Sequence, residues 1–166
     1  MRYTDAYLLN HDIDWFFIIN GVYVHAATAG GRLPDQINDD ERLRVLQYQV
    51  EQMPDIYTDD EIEYNDVAIN NVVGINGVKG RQQYIESFTA MARKGFASFD
   101  RTNILNPDDN QYHLVCKPRN MGKKPQGLDL INLNDNNMEV LTEQGLIGFA
   151  EYIQKDIANG RMLEGV

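Results

Sequence analysis

The dipeptide Asn20-Gly21 sits between two runs of apolar, aromatic and β-branched residues, 13–19 and 22–28. A type I′ turn needs positive φ at both central positions, and Asn-Gly adopts it at little cost, so the stretch predicts a β-hairpin over 13–28. A two-residue loop also fixes the register. Ile19 should face Val22, Phe17 Val24, Trp15 Ala26 and Ile13 Thr28, and these pairs share one apolar face. The other face pairs Ile18 with Tyr23, Phe16 with His25, Asp14 with Ala27 and Asp12 with Ala29. Apolar on both faces near its turn, the ribbon is expected to lie centrally in a sheet, covered on both sides or at a subunit contact.

This register places His25 diagonal to Asp14, with Asp12 and His11 following at the open end. A carboxylate that holds one imidazole nitrogen sets the tautomer and raises the basicity of the ring, as a general base or metal ligand requires. A polar pair satisfying itself at a sheet margin, or a packed core histidine, explains the same residues. Asp12-Ile13-Asp14 lacks the remainder of any acidic metal motif, and His11-Asp12 lacks the further histidines and the distant aspartate that phosphohydrolases need.

The chain has 166 residues, enough for one domain, 1–166, with a single buried core and a frayed tail at 161–166. Its 25 acidic and 15 basic residues give a net charge of −10. Nucleic acid is not the expected partner, because phosphate binding needs a basic footprint; a basic protein is. Cys116 is the one cysteine, which excludes an internal disulfide and a Cys-rich zinc site and fits a reducing, cytoplasmic setting. Residues 1–5 lack the apolar core of a signal peptide, and the longest unbroken apolar run, 15–19, is far short of the roughly 20 residues that span a bilayer.

Residues 1–12 read as a short helix or strand. Ala29-Gly30-Gly31-Arg32 reads as a plain turn, since neither a Walker A loop nor Gly-x-Gly-x-x-Gly follows, although Gly-Gly beside an arginine also suits an anion-binding nest. Asn38 and Glu41 form a capping-box pattern. Leu43, Leu46, Val50 and Met53 then make one helical stripe, which Pro54 ends. Thr58 and Glu61 repeat the box ahead of 59–73, where helix and strand patterns compete, and glycine turns follow at Gly74 and Asn76-Gly77. Tyr84, Ile85, Phe88, Met91 and Ala92 form the face of a helix over 79–94, with Gly95 as its C′ residue. Strands are expected at 96–102 and 111–117, joined as a second hairpin, then near 128–133 and 139–141 around an Asn-rich turn at 134–137. Thr142 caps a last helix with Leu146, Phe149, Ala150, Ile153 and Ile157 inward, ended by Gly160.

Nucleophilic catalysis finds little support. His113 and Cys116 are three apart on one expected strand, hence on opposite faces, and Cys116 reads as a buried small residue. Ser87 and Ser98 lie outside any Gly-x-Ser-x-Gly motif. A calcium loop counted from Asn132 to Glu143 has an uncharged first ligand and Asn137 where glycine belongs. No metal and no cofactor is expected.

Charge is segregated along the chain. Ten acids against Arg42 and Arg44 lie between Asp39 and Asp66, whereas seven bases against three acids lie between Arg93 and Lys124. Arg32, Arg101, Lys117 and Arg119 are the anion-binding candidates. The expected architecture is α+β: a mostly antiparallel sheet of four to six strands, led by the 13–28 hairpin and packed against about three helices. The leading function is a non-enzymatic interaction module for another protein, with a basic partner the natural choice. The alternative is a small hydrolase or nucleotide- or anion-binding enzyme with Asp12, Asp14 and His25 at the open end of the hairpin. A homodimer through the two-sided ribbon is a third reading.

Overall fold

The computed structural model describes residues 1–71, 77–133 and 137–158. Asn20 (φ 49°) and Gly21 (φ 76°) take the left-handed conformations that a type I′ turn demands. They join β1 (Asp14–Ile19) to β2 (Val22–Ala27) in the expected register, with the six pairs from Ile19 opposite Val22 to Asp14 opposite Ala27 in place.

From there the chain departs from a simple meander. After α1 (Asp5–Leu9), the β1–β2 hairpin and α2 (Asp40–Gln52) come a single 3-10 turn (Asp59–Glu61), β3 (Ile62–Tyr64) and α3 (Asp66–Asn71). α4 (Val78–Arg93) leads to β4 (Ala97–Arg101) and β5 (Gln111–Pro118), and β6 (Glu139–Thr142) and β7 (Gly145–Gly148) precede α5 (Phe149–Tyr152) and a π-helical turn (Ile153–Ala158). The sheet runs β1-β2-β4-β5-β6-β7, with β3 on β5 beside β6. Among the described residues it has seven strands, one more than the four to six expected, and is mixed: β2 pairs parallel to β4 and β5 parallel to β6, while the other strand pairs are antiparallel.

Among the described residues there are five α-helices where about three were expected, and β1 lies at one end of the strand order rather than in the middle. Residues 131–133 cover its free edge: Ile18 N–H donates to Ile131 O at 2.9 Å, and Leu133 N–H donates to Ile18 O at 2.8 Å. The strand expected at 128–133 is therefore a single bridge at Asn132.

Helices pack on both faces. Trp15, Phe17, Phe99 and Tyr112 meet Phe149, Tyr152 and Ile153 on one face. On the other, α2 packs Leu43 and Leu46 by Phe16, and α4 packs Phe88 and Ala92 over Ala27, Val115 and Cys116.

Several local expectations need correction. Asp39, not Asn38, caps α2, accepting from Arg42 N–H at 3.3 Å, while Asn38 is spent on Tyr3, whose N–H it accepts at 2.8 Å. The segment after Thr58 is both helix and strand, because the capping box opens only one turn before β3 pairs with β5. Thr142 does not start a helix: its hydroxyl donates to Gly145 O at 2.8 Å, closing the β6–β7 hairpin, and Leu146 is exposed. The expectations at Val72, Val73, Gly74, Asn76, most of the 134–137 turn, Gly160 and the tail lie outside the described residues.

Candidate functional site

β1 and β2 run in opposite directions, so the start of β1 and the end of β2 lie at the same end of the sheet. β4, parallel to β2, ends there too. Asp14, His25 and Asp100 therefore converge without being neighbours in sequence.

His25 sits on the sheet face under α4 and is 1% exposed. Its Nε2 lies 2.8 Å from Asp14 Oδ1, and its Nδ1 lies 2.6 Å from Ser98 Oγ on the adjoining strand. Phe16 and Phe88 pack their rings against it. The diagonal contact expected from the hairpin register is thus formed. The order of exposure matters for its chemistry: Ser98 is fully buried, whereas the Asp14 side chain is 49% exposed. A nucleophilic triad needs its serine at the surface and its carboxylate behind; this relay is assembled the other way round. Both imidazole nitrogens are occupied, so His25 positions Asp14 rather than meeting a ligand.

Behind the relay lies a second polar chain. Tyr84 Oη is 2.7 Å from Asp100 Oδ2 and 3.1 Å from His113 Nε2, and His113 Nδ1 is 3.0 Å from Thr102 Oγ1. Since the tyrosine has one proton and gives it to the carboxylate, the neutral histidine carries its proton on Nε2 and accepts from Thr102 at Nδ1. Burial pushes Asp100 up to about 6, with Asp12 adding to the rise, and pushes His113 down to about 4. Ser98, Asp100 and Thr102 alternate along 98–102, a period-2 signal present in the sequence. Such a stripe normally marks a solvent face, and here α4 covers it.

Asp14 opens onto a groove of about 500 Å³. Its walls include Tyr3, Tyr7 and His11 from α1 and its flanks, Asp12 and Asp14 from the entry to β1, and Arg44, Gln47 and Glu51 from α2. Lys94 enters from the end of α4. Tyr3, Tyr7 and His11 stack in series, with centroids 4.8 Å and then 3.7 Å apart. Both cations in the wall have neighbours that hold them: Tyr3 favours the charge on Arg44, and Lys94 Nζ donates to Met53 O at 2.6 Å. The Asp12 carboxylate accepts from Ala29 N–H at 2.8 Å and the Asp14 carboxylate is held by His25, while Gln47 donates to the Asp14 backbone carbonyl at 2.8 Å.

The four anion candidates do not form one patch. Arg101 is buried, donating from Nε to Thr28 O at 2.8 Å and from Nη1 to Asn106 O at 2.6 Å, with Asp109 3.5 Å away. Lys117 is buried at the other end of β5, 3.1 Å from Glu63. Arg32 is exposed and paired with Asp5 and Asp108, and Arg119 donates to Asp60 O at 3.2 Å. The Gly30-Gly31 turn spends Gly31 N–H on Thr28 O at 2.8 Å, which leaves that amide unavailable to an anion nest.

The bulge between Ser98 and Phe99 shifts the β4–β5 register, so that Cys116 joins His113 on the α4 side rather than facing away from it. Cys116 packs with Phe88 and Ala92, and burial pushes its thiol up to about 12, so it is a protonated core residue. Among the described residues no group of three histidine, cysteine or acidic side chains is placed to hold a metal ion, and no helix is long and apolar enough to cross a membrane. No family model, no curated protein and no solved structure matches this chain.

Proposed function

We propose that the protein acts by association, receiving a lysine- or arginine-bearing segment of a basic protein partner in the groove at the open end of the hairpin. The observation that carries this reading is the groove wall, which sets Asp12, Asp14 and Glu51 beside the stacked rings of Tyr3 and Tyr7. An ammonium or guanidinium group gains from carboxylates and from the faces of tyrosine rings together. The net charge of −10 draws such a partner from a distance.

The hydrolase reading gains less from the same geometry. The hydroxyl next to His25, that of Ser98, is sealed inside, and two of the anion-binding candidates, Arg101 and Lys117, are held inside the fold. What favours it is Asp14, a positioned and accessible carboxylate able to act as a general base.

Calorimetric titration with a short lysine-rich peptide and a glutamate-rich control separates the two. The expected result is binding of the basic peptide alone, weakened at least about tenfold in Asp14→Asn with Glu51→Gln and weakened again by salt. Equal binding of both peptides, or an affinity untouched by the double substitution, overturns the proposal. Hydrolysis of a substrate panel that His25→Ala abolishes without unfolding the protein favours the enzyme.

A further inference from the structure

His25 has an unusual freedom for a buried histidine. Ser98 Oγ, 2.6 Å from Nδ1, is a hydroxyl and serves equally as donor to a bare nitrogen or acceptor from Nδ1–H. Nε2–H donates to Asp14 in either case. The ring changes charge without losing a hydrogen bond, and that charge lies against the carboxylate that lines the groove. A cation entering the groove and an imidazolium behind Asp14 therefore compete for the same negative charge.

We propose that cation binding in the groove is coupled to loss of a proton from His25, so that acid releases the basic partner. This inference rests on the groove reading above and adds its regulation. Protonated His25 donates from Nε2 to Asp14 and from Nδ1 to Ser98. When the ligand's cation pairs with Asp14, the Nδ1 proton passes to solvent, Nε2–H stays on Asp14, and Ser98 turns its hydroxyl to donate to Nδ1. One proton leaves as one cation arrives.

Other groups face this ring or its groove. β1 brings Asp14 and the Phe16 ring, β4 brings Ser98 and the nearby charge of Asp100, and α4 brings the Phe88 ring, with Tyr84 bonded to Asp100. His11 lies in the groove wall with Asp12, Glu51, Arg44 and Lys94. Asp100 beside the ring and His11 in the groove wall are the other titratable groups that a cation here would meet, so each needs its own control.

The test is titration of the lysine-rich peptide into the full chain at about pH 7.5 and about pH 5.5, on either side of the ordinary histidine range, in buffers of different ionisation enthalpy. The expected result is affinity at least about tenfold lower in acid, with net proton release on binding in the acid arm, where the free ring carries its second proton. Both effects should disappear in His25→Gln and survive in Asp100→Asn and His11→Gln. Binding with no proton release in the unaltered protein, a reading that needs no variant to fold, overturns the linkage while the groove reading stands. So does release that persists in His25→Gln. A groove that takes no basic peptide at either pH overturns the function and the linkage with it.

Discussion

Asp100 and His113 face each other across β4 and β5, and burial acts on them in opposite directions. Asp100, raised to about 6 by desolvation, is favoured protonated in the folded chain. Its contribution is fully present below the ordinary carboxylate range and is lost as pH rises through 6. His113, lowered to about 4, contributes stability that is present above the ordinary histidine range and is lost as pH falls towards 4. Asp100→Asn keeps an acceptor for Tyr84 without the charge, so it should be more stable than the parent at about pH 8, by about 1–3 kcal/mol, with the difference gone near about pH 4. Melting curves across that range check it; a gain that grows in acid contradicts the assignment. Gly31 is constrained for a different reason, since a Cβ there would overlap the Arg101 side chain from Cδ to Cζ. Gly31→Ala should displace a buried guanidinium that ties Thr28 and Asn106 together. Denaturant unfolding should show a loss of about 2–3 kcal/mol.

Among the elements, the β1–β2 hairpin and α4 depend on different kinds of contact. The hairpin is specified locally, and Gly21→Val forces a branched side chain into the left-handed conformation at a cost of about 1–2 kcal/mol, readable as a lower midpoint with unchanged slope. α4 is held by packing in its second half, where Phe88, Thr89 and Ala92 are buried, whereas Val78 in its first turn is exposed. The first half is tied through Tyr84 Oη to Asp100 and His113 and through Arg81 to Asp66 at 2.7 Å. Tyr84→Phe leaves two buried polar groups without that partner. Amide exchange should quicken in the first half of α4 and stay slow around Phe88 and Ala92. Uniform quickening along the helix contradicts this division.

At the scale of the whole molecule, the sheet gathers polar side chains from β1, β2, β4 and β5 at one end and closes the other face with aromatic rings. A partner drawn by charge to the acidic groove should bind with an association rate that falls as salt rises, while the Phe149 face stays silent to substitution at exposed positions. Stopped-flow association measured against ionic strength checks this. The hairpin, its register and the Asp14–His25 diagonal were legible because a two-residue turn makes cross-strand neighbours a matter of counting. The stripes of α2 and α4 were legible because helical period is local. The last helix was placed too early because Leu146 fits a helical spacing as well as a strand, and only pairing with β6 decides between them, whereas from Phe149 on the helix forms with Phe149, Ile153 and Ile157 inward as expected. Asp100 was overlooked as the partner of Tyr84 because a polar alternate face looks solvated until a distant helix lies on it. By itself the sequence determined the turns, the helical faces and which residues the first two strands oppose, since these follow from backbone sterics and periodicity over a few residues. Only the tertiary structure decided that β4 lies parallel beside β2, that Arg101 and Lys117 are sealed inside, and that Asp14 faces a groove built from α1, α2 and the end of α4. Those outcomes depend on contacts between segments tens of residues apart, whose free energy comes from burying shared surface that no single segment encodes.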